Sequence, residues 1–435
     1  MKVALEAVKL LGVTAPFTGS GKTSITLAIL SKLPGAASFK IGPDYIDSGL
    51  ASSITSRPTY NIDRWIQGRH YLDPLLRSNA EYGIIEGVMG YRDSGSSVDL
   101  STHFYFEKLK IPYVLVVDVS RMAESAYYLS RGFIGHRTLG VILNNVGSER
   151  HGEMVEKEFR RHGVRVLASI PHIAQATIPE RHLGLFTAAD MVDLKDRVKA
   201  IASYIDTSFL EGIEDFRPHF QPESKPPMAG NKKIHVAVAF DRAFNFYYST
   251  SMDFLNSIGE VEYFSPLKDE HIDDADLVYI GGGYPELYPE DLEKARKTAE
   301  FIRNHAESGK PLIAECGGLM YLENSLESNG RKYKMAGVFN GIVRPLGKLV
   351  LGYTKLIALE SNFMFRKGEI IYGHEFHRTT IDDSGRKLMK NIIGKGIQDG
   401  MDGLVQKNSM GSYSHFDLSR YSRRLMRKIT AKGLL

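Results

Sequence analysis

One stretch decides the fold of the first part of the chain: Val8-Lys-Leu-Leu-Gly-Val-Thr-Ala-Pro-Phe-Thr-Gly-Ser-Gly-Lys-Thr23. Its first part, Val8 to Thr14, is a mostly apolar run, which is typical of a parallel strand that is buried on both faces. A glycine-containing turn follows, and apolar residues with helical spacing begin near Ser24. A strand that leads through such a turn into a helix indicates an α/β sheet with a phosphate loop.

The turn offers the groups that hold phosphate. Its backbone N–H groups point to one spot, and the helix dipole adds positive charge there. We expect Lys22 to reach the β and γ phosphates of ATP and the Thr23 hydroxyl to ligate Mg²⁺. Asn144, at the end of a later strand, either reads the adenine edge or ends a turn. The expected ATP-binding residues are Thr18, Gly19, Ser20, Gly21, Lys22, Thr23 and Asn144.

One position departs from the plain Walker spacing. The glycine that opens that motif is absent, and the loop resembles the longer loop of the dethiobiotin-synthetase-like ATPases. In those loops the first small residue lies six positions before the second glycine, which here places Ala15 before Gly21. Alanine fits there only if its φ angle stays negative.

Acidic residues follow two further strands. Asp44 and Asp47 come after a short strand that ends near Ile41, and Glu86 and Asp93 lie in a glycine-punctuated loop. Ligands bind outside the carboxyl ends of parallel strands, so we expect these acids near the phosphate loop. The predicted metal ligands are Thr23, Asp44 and Glu86.

Two doubly wound α/β domains of similar size are predicted, at residues 1–215 and 234–435. Apolar runs alternate with helical spacers in the first domain, which favours a doubly wound parallel sheet. Residues 216–233 are proline-rich and polar, and we interpret them as the linker. The predicted strands after Val8–Thr14 are 83–86, 113–119, 140–144, 234–240, 277–280, 311–314 and 337–339.

A second glycine cluster stands in Pro311-Leu-Ile-Ala-Glu-Cys-Gly-Gly-Leu-Met-Tyr321. A cysteine on a sharp strand-to-helix turn is exposed to substrate, and the helix N-terminus favours its thiolate. A buried cysteine that packs as a small apolar residue is the alternative, and the adjacent Gly317-Gly318 makes it the weaker one. We therefore predict that Cys316 is a nucleophile.

A thiolate needs a base and an oxyanion hole. His415 is followed two residues later by Asp417, and on an extended segment both side chains face the same way, so Asp417 could orient the imidazole. His374 and His377 compete with His415 for this role. The oxyanion donors are expected to be the N–H of Gly317 and a glycine of the Gly281–Gly283 turn, Gly282 or Gly283.

The composition excludes several classes of function. The chain has 55 Lys and Arg against 51 Asp and Glu, and a net charge of +4 does not suggest a nucleic-acid partner. A single cysteine cannot form an internal disulfide, and no apolar stretch reaches the roughly 18 residues of a membrane span. No signal-like segment opens the sequence either. We expect a cytoplasmic protein without a membrane partner; a homodimer is compatible with the sequence.

The combined motifs resemble the cobyrinic acid a,c-diamide synthases, in which a dethiobiotin-synthetase-like ATPase precedes a triad-type (class I) glutamine amidotransferase domain. The resemblance runs nearly end to end. The matching segments are residues 42–47, 61–63, 86–90, 181–185, 244–248, 281–287, 315–318, 351–353 and 373–377.

The resemblance implies a glutaminase nucleophile at Cys316 and its partner at His415. It implies that the positions of Asp44, Glu86 and Asp93 belong to the ATP and ring-carboxylate site. The predicted amidation site is Asp44, Tyr45, Asp47, Glu86 and Asp93. The residue two beyond the histidine is not a fixed acid in the family, so the role of Asp417 rests on spacing alone.

The expected reaction is the Mg-ATP- and L-glutamine-dependent amidation of the a and c acetate side chains of cobyrinic acid, a corrinoid tetrapyrrole, in cobalamin biosynthesis. The Gly42–Asp47 motif separates the group from its sister, cobyric acid synthase. One rival keeps this chemistry on nickel-sirohydrochlorin, on the route to coenzyme F430. A second rival, a non-catalytic partitioning-type ATPase, would have no use for Cys316 and His415.

Overall fold

The computed structural model describes residues 8–176, 191, 193–216 and 234–429. These residues form two compact units. The first contains residues 8–64 and the described residues from 69 to 216; the second contains residues 65–68 and 234–429. The predicted fold class, two α/β domains, is confirmed.

The predicted linker lies outside the described residues, with one exception. Phe216 pairs with Val8 in a short antiparallel strand, so the ordered sheet of the first unit extends one residue into the range predicted as linker.

The first unit is built on a parallel sheet with strand order β3-β2-β4-β1-β5-β6-β7, to which the short β8 adds antiparallel to β1. Its strands are β1 Val8–Thr14, β2 Ala37–Ile41, β3 Thr59–Ile62, β4 Tyr82–Glu86, β5 Tyr113–Asp118, β6 Thr138–Val146, β7 Val166–Pro171 and β8 Asp215–Phe216. Its α-helices are α1 Lys22–Ser31, α2 Ile46–Thr55, α3 Asp73–Leu76, α4 Thr102–Leu109, α5 Ser125–Ser130, α6 Glu149–Arg161 and α7 Leu194–Ala202.

Strand β1 is buried on both faces, as its apolar run predicts. Leu10 packs into one apolar cluster, and Leu11 and Val13 pack into another. The strand lies between β4 and β5, while the chain continues from β1 to β2 on the far side of β4. The loop after β1 therefore lies where the strand order reverses, which is the usual place for a ligand in such a sheet.

The second unit has a mixed sheet with the order β10-β9-β11-β12-β19-β18-β17-β15-β13-β14, and β16 pairs with β15. Its strands are β9 Ile234–Ala239, β10 Gly259–Phe264, β11 Leu277–Ile280, β12 Leu312–Glu315, β13 Ser325–Ser328, β14 Arg331–Lys334, β15 Ile342–Ala358, β16 Ile370–Asp382, β17 Lys387–Ile393, β18 Met401–Gln406 and β19 Ser409–Ser412. Its α-helices are α8 Ser249–Ile258, α9 Pro289–Lys294, α10 Arg296–Glu307, α11 Gly317–Leu322 and α12 Ser422–Ile429.

Only part of this sheet follows the predicted pattern. Strands β10, β9, β11, β12 and β19 are parallel, whereas β15 and β16 form a long antiparallel pair that the sequence analysis did not predict. The predicted strand at 337–339 is wrong. Val338 and Phe339 are buried in a loop and donate their N–H groups to the carbonyl of Leu322, so they belong to the core without entering the sheet.

Four residues from the first half of the sequence belong to the second unit. Trp65 donates its indole N–H to the carbonyl of Thr354 at 3.0 Å, and Gln67 donates its amide to Asp417 at 3.1 Å. The Arg420 guanidinium donates to the carbonyls of Trp65 and Ile66, both at 2.8 Å. The segment Trp65–Gly68 is thus held by several polar contacts of the second unit.

Among the described residues, no helix combines the length and the apolar character that a membrane crossing requires.

Candidate functional site

The predicted phosphate loop of the first unit, Ala15–Thr23, has the backbone that its glycines favour. Gly19 and Gly21 have φ angles of 86° and 93°, in the left-handed region that favours glycine, and helix α1 begins at Lys22. Ala15 is fully buried and does not adopt a positive φ angle. The departure from the Walker spacing therefore causes no backbone strain at Ala15.

Asn144 supports this loop directly. Its amide nitrogen donates to the carbonyl of Ser20 at 3.1 Å, and a Cβ atom on Gly21 would lie 2.3 Å from that nitrogen. Ser20 in turn donates its hydroxyl to the carbonyl of Phe17 at 2.9 Å. A role for Asn144 at the adenine edge stays a prediction, and the contact with Ser20 gives it a structural role in the loop.

A lysine that the sequence analysis missed lies at the centre of the acidic residues. The ammonium of Lys40 is 2.7 Å from Asp47 Oδ2 and 2.7 Å from Glu86 Oε1, and it is 3.9 Å from Asp44 Oδ2. The side chain is only 4% exposed. A buried ammonium is stable only when it is paired, so these carboxylates compensate its charge.

Glu86 links the lysine to the phosphate loop. Its Oε1 atom accepts a hydrogen bond from the Thr23 hydroxyl at 2.8 Å. Burial raises the pKa of Glu86 to about 6, although Lys40 acts in the opposite direction. Thr23 and Glu86 are therefore brought together, as predicted for two ligands of one metal ion.

The remaining acids have local roles as well. Asp44 Oδ1 accepts the N–H groups of Ile46 and Asp47, both at 3.1 Å, at the start of α2, immediately after Tyr45. Asp93 is exposed and accepts the N–H of Gly90 at 3.1 Å within its own loop. Of the five residues predicted for the amidation site, Asp47 and Glu86 directly contact Lys40.

The sequence did contain a signal for Lys40. The residue lies in β2, a parallel strand whose positions are all buried. A lysine in such a strand has to find a buried carboxylate, because isolated charges are rarely tolerated there.

In the second unit, Cys316 occupies the predicted strand-to-helix turn between β12 and α11. It is 3% exposed, and its φ and ψ angles are 48° and −102°, a conformation that non-glycine residues rarely adopt. Such a strained backbone is found where the surrounding structure imposes it, often at active sites. The thiol lies 3.3 Å from the carbonyl of Phe376, to which it donates.

The surroundings of the Cys316 thiol oppose the thiolate form that a helix N-terminus alone would favour. Burial and, next in size, the charge of Glu286 raise the pKa of Cys316 well above its usual range, while the backbone N–H of Gly317 acts to lower it. Helix α11 has only six residues, and its dipole does not outweigh these effects.

The Gly281–Gly283 turn packs against the residues that follow Cys316. A Cβ atom on Gly317 would lie 3.0 Å from the nitrogen of Gly283, and the N–H of Gly318 donates to the carbonyl of Gly281 at 3.0 Å. A Cβ atom on Gly282 would lie 2.2 Å from His415. The structure thus brings together the residues predicted for the oxyanion hole and places His415 beside them.

His415 is also distinguished from its two competitors. Its ring stacks on that of His374, with centroids 4.8 Å apart, and its Nδ1 atom is 3.7 Å from Glu315 Oε2. Burial lowers the pKa of His374 well below its usual value, and the charge of His415 acts in the same direction. His377 instead stacks on Tyr413, with centroids 3.8 Å apart.

The carboxylate near His415 is that of Glu315, the residue before Cys316. Its Oε1 atom accepts the N–H of Phe416 at 3.2 Å, and its Oε2 atom accepts the Tyr279 hydroxyl at 3.1 Å. Burial raises the pKa of Glu315. Asp417 is directed elsewhere: its oxygens accept hydrogen bonds from Gln67, Thr250, Ser251 and the N–H of Ser419. Asp417 as a third triad member stays a prediction, and the geometry favours Glu315.

Comparison with known proteins identifies the family. Residues 235–422 match the model of the CobB/CobQ-like glutamine amidotransferase domain. A protein of Sulfurisphaera tokodaii named cobyrinate a,c-diamide synthase is 37% identical over 96% of this chain and 97% of its own length.

The chain belongs to the cobyrinate a,c-diamide synthase family. It is thereby a member of a family of glutamine amidotransferase ligases. A protein of the same name from Listeria monocytogenes is 36% identical over 93% of this chain and 95% of its own length. Among solved structures, PurLQS from Thermotoga maritima aligns with 46% of this chain and 98% of its own, with 17% identity and a TM-score of 0.35.

The segments that resemble this family lie at both sites. Residues 42–47 and 86–90 flank Lys40, and residues 281–287, 315–318 and 373–377 surround Cys316 and His415. The segment at 181–185 lies outside the described residues.

Proposed function

We propose that this protein amidates the a and c acetate side chains of cobyrinic acid, using ATP and L-glutamine, in cobalamin biosynthesis. One observation carries the proposal. The chain matches synthases of that name over nearly its whole length, and in its second unit a glycine turn packs against His415 and against the residue after a strained cysteine. These parts are what the release of ammonia from glutamine needs.

The cysteine site would act as the glutaminase. His415 removes the proton of the Cys316 thiol, and the thiolate attacks the side-chain amide carbon of glutamine. The N–H groups of Gly317 and of Gly282 or Gly283 stabilise the oxyanion. The intermediate collapses when the imidazolium returns the proton to the departing nitrogen, which releases ammonia. Water then hydrolyses the glutamyl thioester to glutamate and restores the thiol.

The phosphate-loop site would act as the synthetase. A ring carboxylate attacks the γ phosphorus of ATP, which gives an acyl phosphate and ADP. Ammonia then displaces phosphate and forms the amide. ATP is needed because hydroxide is a poor leaving group from a carboxylate at neutral pH. Lys22 and Lys40 supply fixed positive charge near the anions.

A magnesium ion fits part of this site. The Thr23 hydroxyl and Glu86 Oε1 are oxygen donors 2.8 Å apart, and both are ligand types that magnesium prefers. Glu86 Oε1 also lies 2.7 Å from the Lys40 ammonium, which would compete with the ion for that oxygen. Asp44 fits less well as the third predicted ligand, because its Oδ1 atom accepts two backbone N–H groups at the start of α2. When bound, the ion would neutralise phosphate charge.

A pair of assays on one variant tests the proposal. Cys316→Ser should abolish glutamine-dependent amidation of cobyrinic acid and leave the ammonia-dependent reaction within about two-fold of the wild type, because ammonia bypasses the nucleophile. Loss of both reactions would contradict separate sites.

The same assay discriminates the rivals. Amidation of nickel-sirohydrochlorin but not of cobyrinic acid would assign the other ring. A protein that hydrolyses ATP but shows no Cys316-dependent glutamine hydrolysis would be a partitioning-type ATPase. The rivals thus differ in outcomes that one set of reagents can measure.

A further inference from the structure

A buried carboxylate oxygen next to the nucleophile has no partner in the protein. Glu286 lies in a short 3₁₀ helix, Pro285–Leu287, directly after the glycine turn. Its Oε2 atom is buried and forms no hydrogen bond with any residue that the structure describes. A buried polar atom without a partner is rare in native proteins and needs an explanation, of which a ligand is one.

The position of Glu286 ties it to the cysteine site. A Cβ atom on Gly317 would lie 2.9 Å from Pro285 Cδ, so the helix that carries Glu286 packs directly against the residue after Cys316. Among the charges that raise the pKa of Cys316, that of Glu286 is the largest, ahead of Glu315 and Glu375. Burial raises the pKa of Glu286 itself to about 7.

The charge of Glu286 opposes the glutaminase reaction proposed for Cys316. A carboxylate near the thiol disfavours the thiolate that the glutaminase reaction requires. In the described part of the chain, Glu286 forms no ion pair with a lysine, arginine or histidine. The α-ammonium group of glutamine is a cation that could remove this repulsion.

We propose that Glu286 binds the α-ammonium group of the substrate glutamine. The assignment rests on the proposed function, and it specifies how the cysteine site recognises its substrate. The ammonium supplies the hydrogen-bond donors that Oε2 lacks and pairs with the carboxylate. Binding also removes the largest negative charge that acts on the thiol, so the nucleophile becomes easier to ionise when glutamine is present.

Substrate analogues separate recognition from chemistry. Glutaramate is glutamine without the α-amino group, and its hydrolysis gives glutarate and ammonia by the same steps. In the wild type, kcat/KM for glutamine should exceed that for glutaramate by about 100-fold or more, since a lost charged partner leaves a buried carboxylate unpaired. Equal values in the wild type would overturn the proposal without any variant.

Glu286→Gln should collapse that preference. We expect kcat/KM for glutamine to fall by about 10- to 100-fold, mainly through KM, and kcat/KM for glutaramate to stay the same or rise, because the thiol of the variant ionises more easily. Glu286→Asp keeps the charge and should retain part of the preference. Glu290→Gln, in the neighbouring helix α9 and exposed, is the matched control and should leave both values unchanged.

Two further measurements distinguish recognition of the substrate by Glu286 from a structural role of this residue. The pH profile for alkylation of Cys316, which is the only cysteine of the chain, should move to lower pH in Glu286→Gln. Ammonia-dependent amidation should stay at the wild-type rate. A variant that loses glutamine and glutaramate activity equally, with an unshifted alkylation profile, would assign Glu286 a structural role. Absence of glutamine hydrolysis in the wild type would instead refute the proposed function.

Discussion

The phosphate-loop site and the cysteine site both bury carboxylates, but they compensate the charge in different ways. In the first unit, Lys40 lies 2.7 Å from both Asp47 and Glu86, so a fixed cation is part of the fold. In the second unit, Glu315 lies beside His415, and Glu286 has no cationic partner among the described residues.

On the proposed function, the difference follows from the charge of the ligands that each site binds. A site for ATP and ring carboxylates receives anions, and a permanent lysine keeps the local charge from becoming too negative. A site for glutamine receives a zwitterion, whose ammonium can itself act as the cation. On these proposals the second unit leaves the carboxylate of Glu286 to be neutralised by the substrate.

We expect the largest effect from removing the fixed cation of the first unit. Lys40→Met leaves Asp47 and Glu86 buried without their cation, so we expect amidation to fall by at least about 100-fold and the first unit to lose about 3 to 5 kcal/mol of stability. Glutamine hydrolysis in the second unit should persist. Both can be measured on one preparation, by coupled assays and by calorimetry.

Lys9→Met is the matched control for that variant. Lys9 lies in the same sheet and pairs with Glu81 at 3.8 Å, but Glu81 is 72% exposed. An exposed pair contributes at most about 1 kcal/mol, so this variant should behave like the wild type. If the two substitutions had equal effects, Lys40 would not be the cation that compensates the buried carboxylates.

The second prediction concerns the carboxylate that supports His415. Glu315→Gln should lower kcat for glutamine hydrolysis by about 100-fold, because the imidazolium loses its charged neighbour at 3.7 Å. Asp417→Asn should change kcat by only a few-fold, since the oxygens of Asp417 accept donors other than His415. Steady-state kinetics with glutamine measure both, and the reverse order would restore Asp417 as the triad member.

The third prediction concerns Asp417, a buried carboxylate that accepts hydrogen bonds from neutral donors. Gln67→Leu removes the amide that donates to Asp417 at 3.1 Å and should destabilise the second unit by about 1 to 2 kcal/mol. Trp65 is the only tryptophan and belongs to the same unit, so its fluorescence reports the unfolding. Asn256→Ala, which removes an exposed amide, should shift the midpoint little.

The smallest effect concerns Glu323, a buried carboxyl group whose pKa is raised. Burial, followed by the neighbouring charge of Asp383, raises the pKa of Glu323 to about 9. The folded state thus favours the protonated form, and this stabilisation is complete below the unfolded pKa of roughly 4.3 and is lost as the pH rises towards 9.

Glu323→Gln should flatten that pH dependence. Its amide can accept the N–H of Gly341 and donate to Asp383, so at pH 8 we expect the variant to be about 1 kcal/mol more stable than the wild type. Denaturant titrations between about pH 5 and pH 9 measure the difference, within the range that the two pKa values define. Glu327→Gln, at a partly exposed position, should not alter the pH dependence.

Much of the fold was predictable from local patterns. Continuous apolar runs identified β1 and β11 with their observed bounds, because a strand buried on both faces has to be apolar at nearly every position. The glycines of the phosphate loop were predictable because their φ angles lie in the region that favours glycine. The turn at Cys316 was predictable because its neighbouring glycines leave no room for a Cβ atom.

Long-range pairing was not predictable in this way. The β15–β16 pair joins residues whose partners are set by the whole sheet, and its half-polar surface weakens the apolar signal. Val338 and Phe339 are apolar and buried, yet their backbone bonds to the end of α11 and not to a strand. An apolar side chain indicates that a residue is buried, but it does not indicate which groups its backbone is hydrogen-bonded to.

The sequence by itself determined the two α/β units, the phosphate loop, the cysteine turn and the residue types available for catalysis. Tertiary structure alone decided how each buried carboxylate is neutralised: Lys40 between Asp47 and Glu86, His415 beside Glu315, and Glu286 with an oxygen left for a ligand. The physical reason is that local geometry and apolar periodicity are encoded within a few residues, whereas the compensation of a buried charge depends on atoms that only folding brings within a few ångströms.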